Sequence, residues 1–153
     1  VSTLYSPVHG DPEGWSGDFG YTTAISGNMA LVAAPFKDAG VVYVFNVLTG
    51  ALINTIPMPP EYGEEGEFGI SLALVGDYAA ISAPACLNDV ENEIYGRVFV
   101  YNITSNTLYG VFDNNANGER MQNSLAISNK KVYSFFNDFN TGNRALVVYN
   151  IVD

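Results

Sequence analysis

Residues 18–35 read DFGYTTAISGNMALVAAP, and this stretch decides the fold because the chain repeats it. Forty-nine residues later, residues 67–84 read EFGISLALVGDYAAISAP. A diverged third copy begins with MQNSLAISN at residues 121–129. Each copy precedes an aromatic segment that ends in asparagine: VVYVFN at 41–46, VFVYN at 98–102 and LVVYN at 146–150. A fixed period near fifty residues is typical of repeat architectures.

Each repeat divides into short strands at even spacing. Gly27-Asn28, Gly76-Asp77 and Asn129-Lys130 fall between the first two strands of each repeat. Glycine and asparagine tolerate positive φ, so these pairs predict hairpin turns. No stretch shows helical periodicity of useful length, and we predict an all-β fold. The predicted strands are 22–26, 29–34, 41–46 and 51–56, then 71–75, 78–83, 97–101 and 107–112, and finally 123–128, 131–136 and 144–150.

Strands such as 41–45 are apolar on both faces, which predicts that both faces of their sheet are covered. The 153 residues suit one domain. We place the repeats at about 18–66, 67–119 and 120–153 within a single propeller-type domain spanning 1–153. Because the third repeat supplies only three strands, residues 1–6 are predicted to close it as an outer strand and to protect its edge.

The quoted residues resemble FG-GAP repeats, the blade sequences of integrin-alpha-type β-propellers. Phe19-Gly20 and Phe68-Gly69 match the Phe-Gly, while Ala34-Pro35 and Ala83-Pro84 match the end of the Gly-Ala-Pro. The third repeat departs from the pattern, with Met121-Gln122 and Phe136-Asn137 at the corresponding places. The resemblance implies four-stranded blades, three in this chain, and an adhesive or structural role that sometimes involves calcium in blade loops.

Three blades are fewer than the four to eight of ordinary propellers. We therefore expect either a homo-oligomer, such as six blades from two copies, or a place within a larger assembly. A threefold β-trefoil or β-prism is the alternative fold, since three repeats in about 150 residues suit those architectures as well.

Charge and composition narrow the classes of function. Sixteen acids against six bases leave a net charge of −10, which repels nucleic acid and anionic membranes. We expect neither nucleic-acid binding nor membrane insertion. Cys86 is the single cysteine and His9 the single histidine, so the residue types of a Cys-His or Ser-His-Asp nucleophile are almost lacking.

Acidic residues gather in two long predicted loops of the second repeat. In an up-and-down sheet, the loops after the second and fourth strands lie on the same side, so these loops should share one side of the molecule. Such a face suits a cation or a basic partner, and the alternative is a solvated, solubilising surface. The carboxylates are Glu61, Glu64, Glu65, Glu67, Asp89, Glu91 and Glu93.

Two further candidates lie in other loops. Asp113, Asn115 and Asn117 fit the opening half of a calcium loop, with oxygen ligands at alternate positions, although the late carboxylate is missing. An ordinary Asn- and Gly-rich turn is the alternative. Trp15 could stack on a sugar ring or pack in the interior.

The sequence thus predicts a non-enzymatic adhesion or structural module that presents a loop face to a protein or glycan receptor. We expect it to be extracellular, on a cell surface or on a virion surface. A glycan-binding lectin is one alternative and a glycosidase-type enzyme is another. For the latter, nothing in the sequence places two carboxylates across a cleft.

Overall fold

The computed structural model describes residues 3–7, 16–86, 96–113, 119–138 and 141–151. These residues form three antiparallel sheets and one single-turn 3-10 helix at Pro60–Tyr62. The first sheet has the order β1-β2-β3-β4 and the second β5-β6-β7-β8, while the third contains β9, β10 and β11 with β10 in the centre. The all-β prediction is confirmed. The strands are β1 Thr23–Ser26, β2 Met29–Ala34, β3 Val41–Asn46, β4 Leu52–Pro57, β5 Leu72–Val75, β6 Tyr78–Ala83, β7 Arg97–Asn102, β8 Thr107–Phe112, β9 Glu119–Ser128, β10 Lys131–Asp138 and β11 Arg144–Asn150.

Local sequence explains where the strands turn. The predicted hairpin pairs 27–28, 76–77 and 129–130 are turns in the structure, with positive φ at Gly27, Gly76 and Asn129. The asparagine that ends the third strand of a repeat also has a role. The side-chain oxygen of Asn46 accepts hydrogen bonds from the amides of residues 48 and 49, and that of Asn102 does the same for 104 and 105. Each asparagine thereby holds the turn into the fourth strand.

The first two repeats form equivalent backbone hydrogen bonds as well as having similar sequences. The amide of Gly20 donates to the carbonyl of Ala33 at 2.9 Å, and the amide of Gly69 donates to that of Ser82 at 2.8 Å. The register between the third and fourth strands shifts after Val44 in one sheet and after Val100 in the other. The repeat in the sequence is therefore a repeat of structure.

The sheets stack face to face, and the second sheet is covered on both sides. Its residues Ile81 and Phe99 belong to a core shared with Leu31 and Val44 of the first sheet. The alternate residues of the same strands face the third sheet, in a second core that joins Ala80, Val98 and Val100 to Val132 and Phe136. The prediction from the doubly apolar strands is thus confirmed for this sheet.

The described residues 3–6 form no strand. Leu4 packs instead against the outer face of the first sheet, beside Tyr43 and Phe45. Burial of an apolar side chain is favourable in free energy, and Leu4 is partly buried by contact with this apolar face. Residues 3–6 therefore lie on the first sheet and do not extend the third. The third sheet accordingly has three strands here, and residues 3–6 do not supply the closing strand predicted for residues 1–6.

No helix among the described residues has the length and apolar character needed to cross a membrane.

Candidate functional site

The candidate site lies where the loop after β2 meets the linker after β4. Backbone hydrogen bonds join the two segments: the amide of Met58 donates to the carbonyl of Gly40 at 3.1 Å, and that of Phe68 donates to Ala39 at 3.0 Å. The start of the loop after β6 joins them, since the amide of Ala85 donates to Gly66. These loops therefore share one side of the molecule, which we term the loop side.

A cleft of about 590 Å³ opens on the loop side. Its volume falls in the range of small-molecule and cofactor sites, roughly 300–1,000 Å³. Three of its lining residues are carboxylates, and we term Asp38, Glu64 and Glu65 with the space between them the acidic cleft. The remaining lining residues are Ala39, Met58, Pro60 and Gly63.

The acidic cleft is only partly neutralised. The side chains of Glu64 and Glu65 are exposed, and that of Asp38 is 80% accessible. The ammonium of Lys37 lies 3.9 Å from the Asp38 carboxylate, and an exposed ion pair of this length contributes little to stability. The cleft thus holds more negative than positive charge, which favours a cationic ligand or a basic surface.

Glu61 and Glu67 flank the cleft but do not line it. Glu61 is exposed in the first turn of the 3-10 helix. Burial raises the pKa of Tyr101 to about 12, and the negative charge of Glu61 adds to that rise. Glu67 is half-buried with a φ of +53°, at the entrance to the Phe68-Gly69 corner. Its role is therefore tied to the backbone turn as well as to the charge of the loop side.

A buried arginine lies beneath the loops. Arg97 opens β7, is almost wholly buried, and places its guanidinium 4.6 Å from the centre of the Tyr62 ring. Its Nε lies 3.8 Å from the carboxylate of Asp113.

The sequence analysis did not identify Arg97 or Asp38 as residues of the loop side. Asp38 could have been identified, because it follows the second strand of its repeat and the loops after second and fourth strands lie on the same side.

Cys86 is not a nucleophile in this structure. Its side chain is 1% exposed, and burial raises the pKa of its thiol from 9.0 to about 12, while the charge of Arg97 partly opposes the rise. The thiol is therefore protonated near neutral pH, and a protonated thiol is the unreactive form.

The remaining predicted site residues belong to the calcium loop, the second acidic loop and the Trp15 segment. Among the described residues, no group of three or more His, Cys, Asp or Glu side chains is arranged to hold a metal ion. Asp113, the first residue of the predicted calcium loop, is exposed and next to Arg97, so its charge is partly offset. The members of the predicted sites that lie outside the described residues are Trp15, Asp89, Glu91, Glu93, Asn115 and Asn117.

No protein-family model matches this chain, and a search of the curated proteins finds no similar sequence.

Proposed function

We propose that this chain is a non-enzymatic binding module, built as propeller blades, that uses the acidic cleft to bind a basic surface of a protein receptor. The module would act in adhesion or assembly outside the cell, on a cell surface or on a virion. The single observation that carries the proposal is the acidic cleft itself, with Asp38, Glu64 and Glu65 around an open volume of about 590 Å³.

The stacking of the sheets supports the propeller architecture. The first strand of the second repeat, β5, lies next to the first strands of the other two repeats, β1 and β9, as neighbouring strands that line a propeller axis do. Two separate cores lie between successive sheets. A β-prism or β-trefoil would instead gather its three repeats around one central core, so the two cores favour stacked blades.

The hydrogen-bonded loops support a binding role. Binding residues lie most often on loops that a rigid scaffold holds in place. Here the backbone bonds from Met58 and Phe68 to the loop after β2 fix both walls of the acidic cleft. Charge complementarity of this kind contributes mainly to specificity and to the rate of encounter.

The test measures binding of a fluorescent oligolysine peptide, used as a surrogate for a basic receptor surface. Binding should weaken as salt rises and should fall several-fold in a Glu64→Gln/Glu65→Gln double variant. The matched control is Asp77→Asn, which removes an exposed carboxylate from the hairpin on the opposite side and keeps an acceptor for the Thr104 hydroxyl. Equal binding by all three proteins would overturn the assignment of the acidic cleft.

The adhesive role itself needs a second assay. Beads coated with the protein should adhere to cells, and the double variant should reduce the adherent fraction while the control does not. Calcium binding at residues 113–117 stays a separate proposal, and a calcium-dependent rise in melting temperature is the measurement that would confirm it.

A further inference from the structure

The third sheet leaves one apolar face open. Its outer face carries the cross-strand pairs Phe135–Leu146 and Tyr133–Val148 on β10 and β11. Phe135 is 45% exposed and Leu146 is 52% exposed. We term these four residues the open face. Large contiguous apolar surfaces of this kind mark interaction sites in soluble proteins.

The open face occupies a position that is covered in the other two sheets. Counting back four residues from the strand-ending asparagine gives Val42, Val98 and Leu146 in the three repeats. The cross-strand partners of these residues are Ala33, Ser82 and Phe135. In the first and second sheets both members of the pair are fully buried beneath the next sheet, with exposures of 0%. In the part of the chain that the structure describes, the third sheet therefore presents the same surface with no sheet packed over it.

The first repeat offers the complementary surface. The corner Phe68-Gly69-Ile70 is buried where the second repeat meets the first sheet, and a β-carbon on Gly69 would come within 2.8 Å of Ala33 and 3.2 Å of Val42. Phe19-Gly20-Tyr21 is the same corner of the first repeat, and we term it the open corner.

The open corner has a similar backbone, but no sheet among the described residues packs against it as the first sheet packs against Phe68-Gly69-Ile70. Gly20 has a φ of +95°, close to the +103° of Gly69, yet no described atom lies within 4 Å of a β-carbon built on it. Tyr21 is 51% exposed, whereas Ile70 is 5% exposed. Leu4 packs on the outer face of the first sheet, next to Phe19. Met58 and Tyr62 pack in the same way between the first and second sheets, so a side chain such as Leu4 leaves room for another sheet to stack there.

We infer that the open face binds the open corner of a second copy of this chain, head to tail, as the first sheet binds the Phe68-Gly69-Ile70 corner within one chain. The contact extends the established stacking between sheets by one further step. Two such contacts made reciprocally by two copies close a ring of six sheets, which satisfies both open surfaces.

The charges around the two surfaces favour this head-to-tail arrangement. Gly40 in the first repeat and Arg144 in the third both lie six residues before the strand-ending asparagine. A β-carbon built on Gly40 would overlap the backbone of Phe68, so a side chain at this place has no room to point at the corner. The contact between copies therefore requires the Arg144 side chain to turn away from the backbone of Phe19, and the exposed Asp18 that precedes Phe19 is the acidic group that we expect it to meet. If two third sheets met each other instead, they would bring their exposed Lys131 and Arg144 residues together, and like charges at close range repel.

The experiment measures mass in solution by light scattering across a concentration series. The chain has a mass of 16.5 kDa, so a closed pair would have twice that mass, about 33 kDa. Arg144→Glu and Asp18→Arg should each weaken self-association at least tenfold. Glu65→Arg is the matched control, since it reverses a carboxylate in the acidic cleft and leaves both open surfaces unchanged.

Mixing the two single variants is the decisive step. In a reciprocal head-to-tail pair of Arg144→Glu with Asp18→Arg, one contact is native and the other has both charges exchanged, so the mixture should form pairs that neither variant forms alone. Failure of the mixture to associate would overturn the inference. A wild-type protein that stays at 16.5 kDa at every concentration would also overturn the inference. So would self-association that is equally strong in the wild type and in both single variants. These outcomes are independent of oligolysine binding, because neither altered residue lines the acidic cleft.

Discussion

A β-carbon placed on Gly69 would lie 2.8 Å from the β-carbon of Ala33, closer than real side-chain atoms approach one another. This contact joins the second repeat to the first sheet, and it explains why the Phe68-Gly69 dipeptide of the second repeat needs glycine. The backbone of Gly69 also has a φ of +103°, which other residues rarely adopt.

Replacement of Gly69 by alanine should therefore destabilise the protein by about 2–5 kcal/mol, from overpacking together with an unfavourable backbone angle. Gly20→Ala is the matched control, because Gly20 has a similar φ of +95° and no described atom within 4 Å. It should cost only the backbone contribution, about 1–2 kcal/mol. Chemical unfolding of both variants, at a protein concentration at which the chain is monomeric, measures the difference, and equal losses would show that the contact with Ala33 contributes nothing.

The two phenylalanines of the repeat should also differ in their contributions. Phe68 is fully buried and packs edge-on against Phe99, with ring centres 5.3 Å apart. Phe19 makes the equivalent contact with Tyr43 at 5.6 Å but is only half-buried. We expect Phe68→Ala to cost about 3–5 kcal/mol of unfolding free energy and Phe19→Ala about 1–2 kcal/mol. A loss below about 1 kcal/mol for Phe68→Ala would contradict the large contribution expected from its complete burial.

The thiol of Cys86 should be protected in the folded protein. Its burial and its raised pKa of about 12 both suppress the thiolate that reacts with disulfide reagents. At pH 8 the native protein should react very slowly with a chromogenic disulfide, whereas the protein in denaturant should react at the rate of a free thiol. Rapid reaction of the native protein would show that the loop side opens readily.

Stability should fall at alkaline pH. Burial raises the pKa of Cys86 from 9.0 and that of Tyr101 from 10.0, in each case to about 12. Because the folded state favours the protonated forms, their contribution is complete below pH 9 and is lost progressively as the pH rises towards 12. The melting temperature should thus be flat from neutral pH to about pH 9 and should then decline.

Tyr101→Phe tests this assignment because it removes one of the buried titrating groups. The variant should retain more of its melting temperature above pH 10 than the parent does. Tyr5→Phe, at a position that is 71% exposed, is the matched control and should leave the alkaline decline as it was. If the melting temperature of Tyr101→Phe declined at alkaline pH as much as that of the parent, groups other than Tyr101 would be responsible for the decline.

Local features of the sequence were sufficient to predict the strands of the three sheets, although not the conformation of residues 3–6. A hairpin pairs two strands that are adjacent in the chain, and the Gly-Asn, Gly-Asp and Asn-Lys pairs supply the positive φ that the hairpin turns need. The apolar character of both faces of strands such as 41–45 predicted that both faces of their sheets would be covered. Neighbouring sheets cover both faces of the second sheet, whereas in the first sheet the face of Tyr43 and Phe45 packs against Leu4 and Phe19. The direction of the strands also placed the acidic linker after β4 on the same side as the loop after β2.

The remaining features depend on contacts between residues that are distant in the chain. Asp38 joins Glu64 and Glu65 only because the first sheet and the linker after β4 are hydrogen-bonded together, and no local pattern contains that contact. Arg97 lies under Tyr62 for the same reason. The sequence by itself determined three similar repeats with the same strands and turns. Only the tertiary structure decided that Phe68 is fully buried while Phe19 is half-buried and Phe135 and Leu146 are exposed, because burial depends on which sheet lies against which.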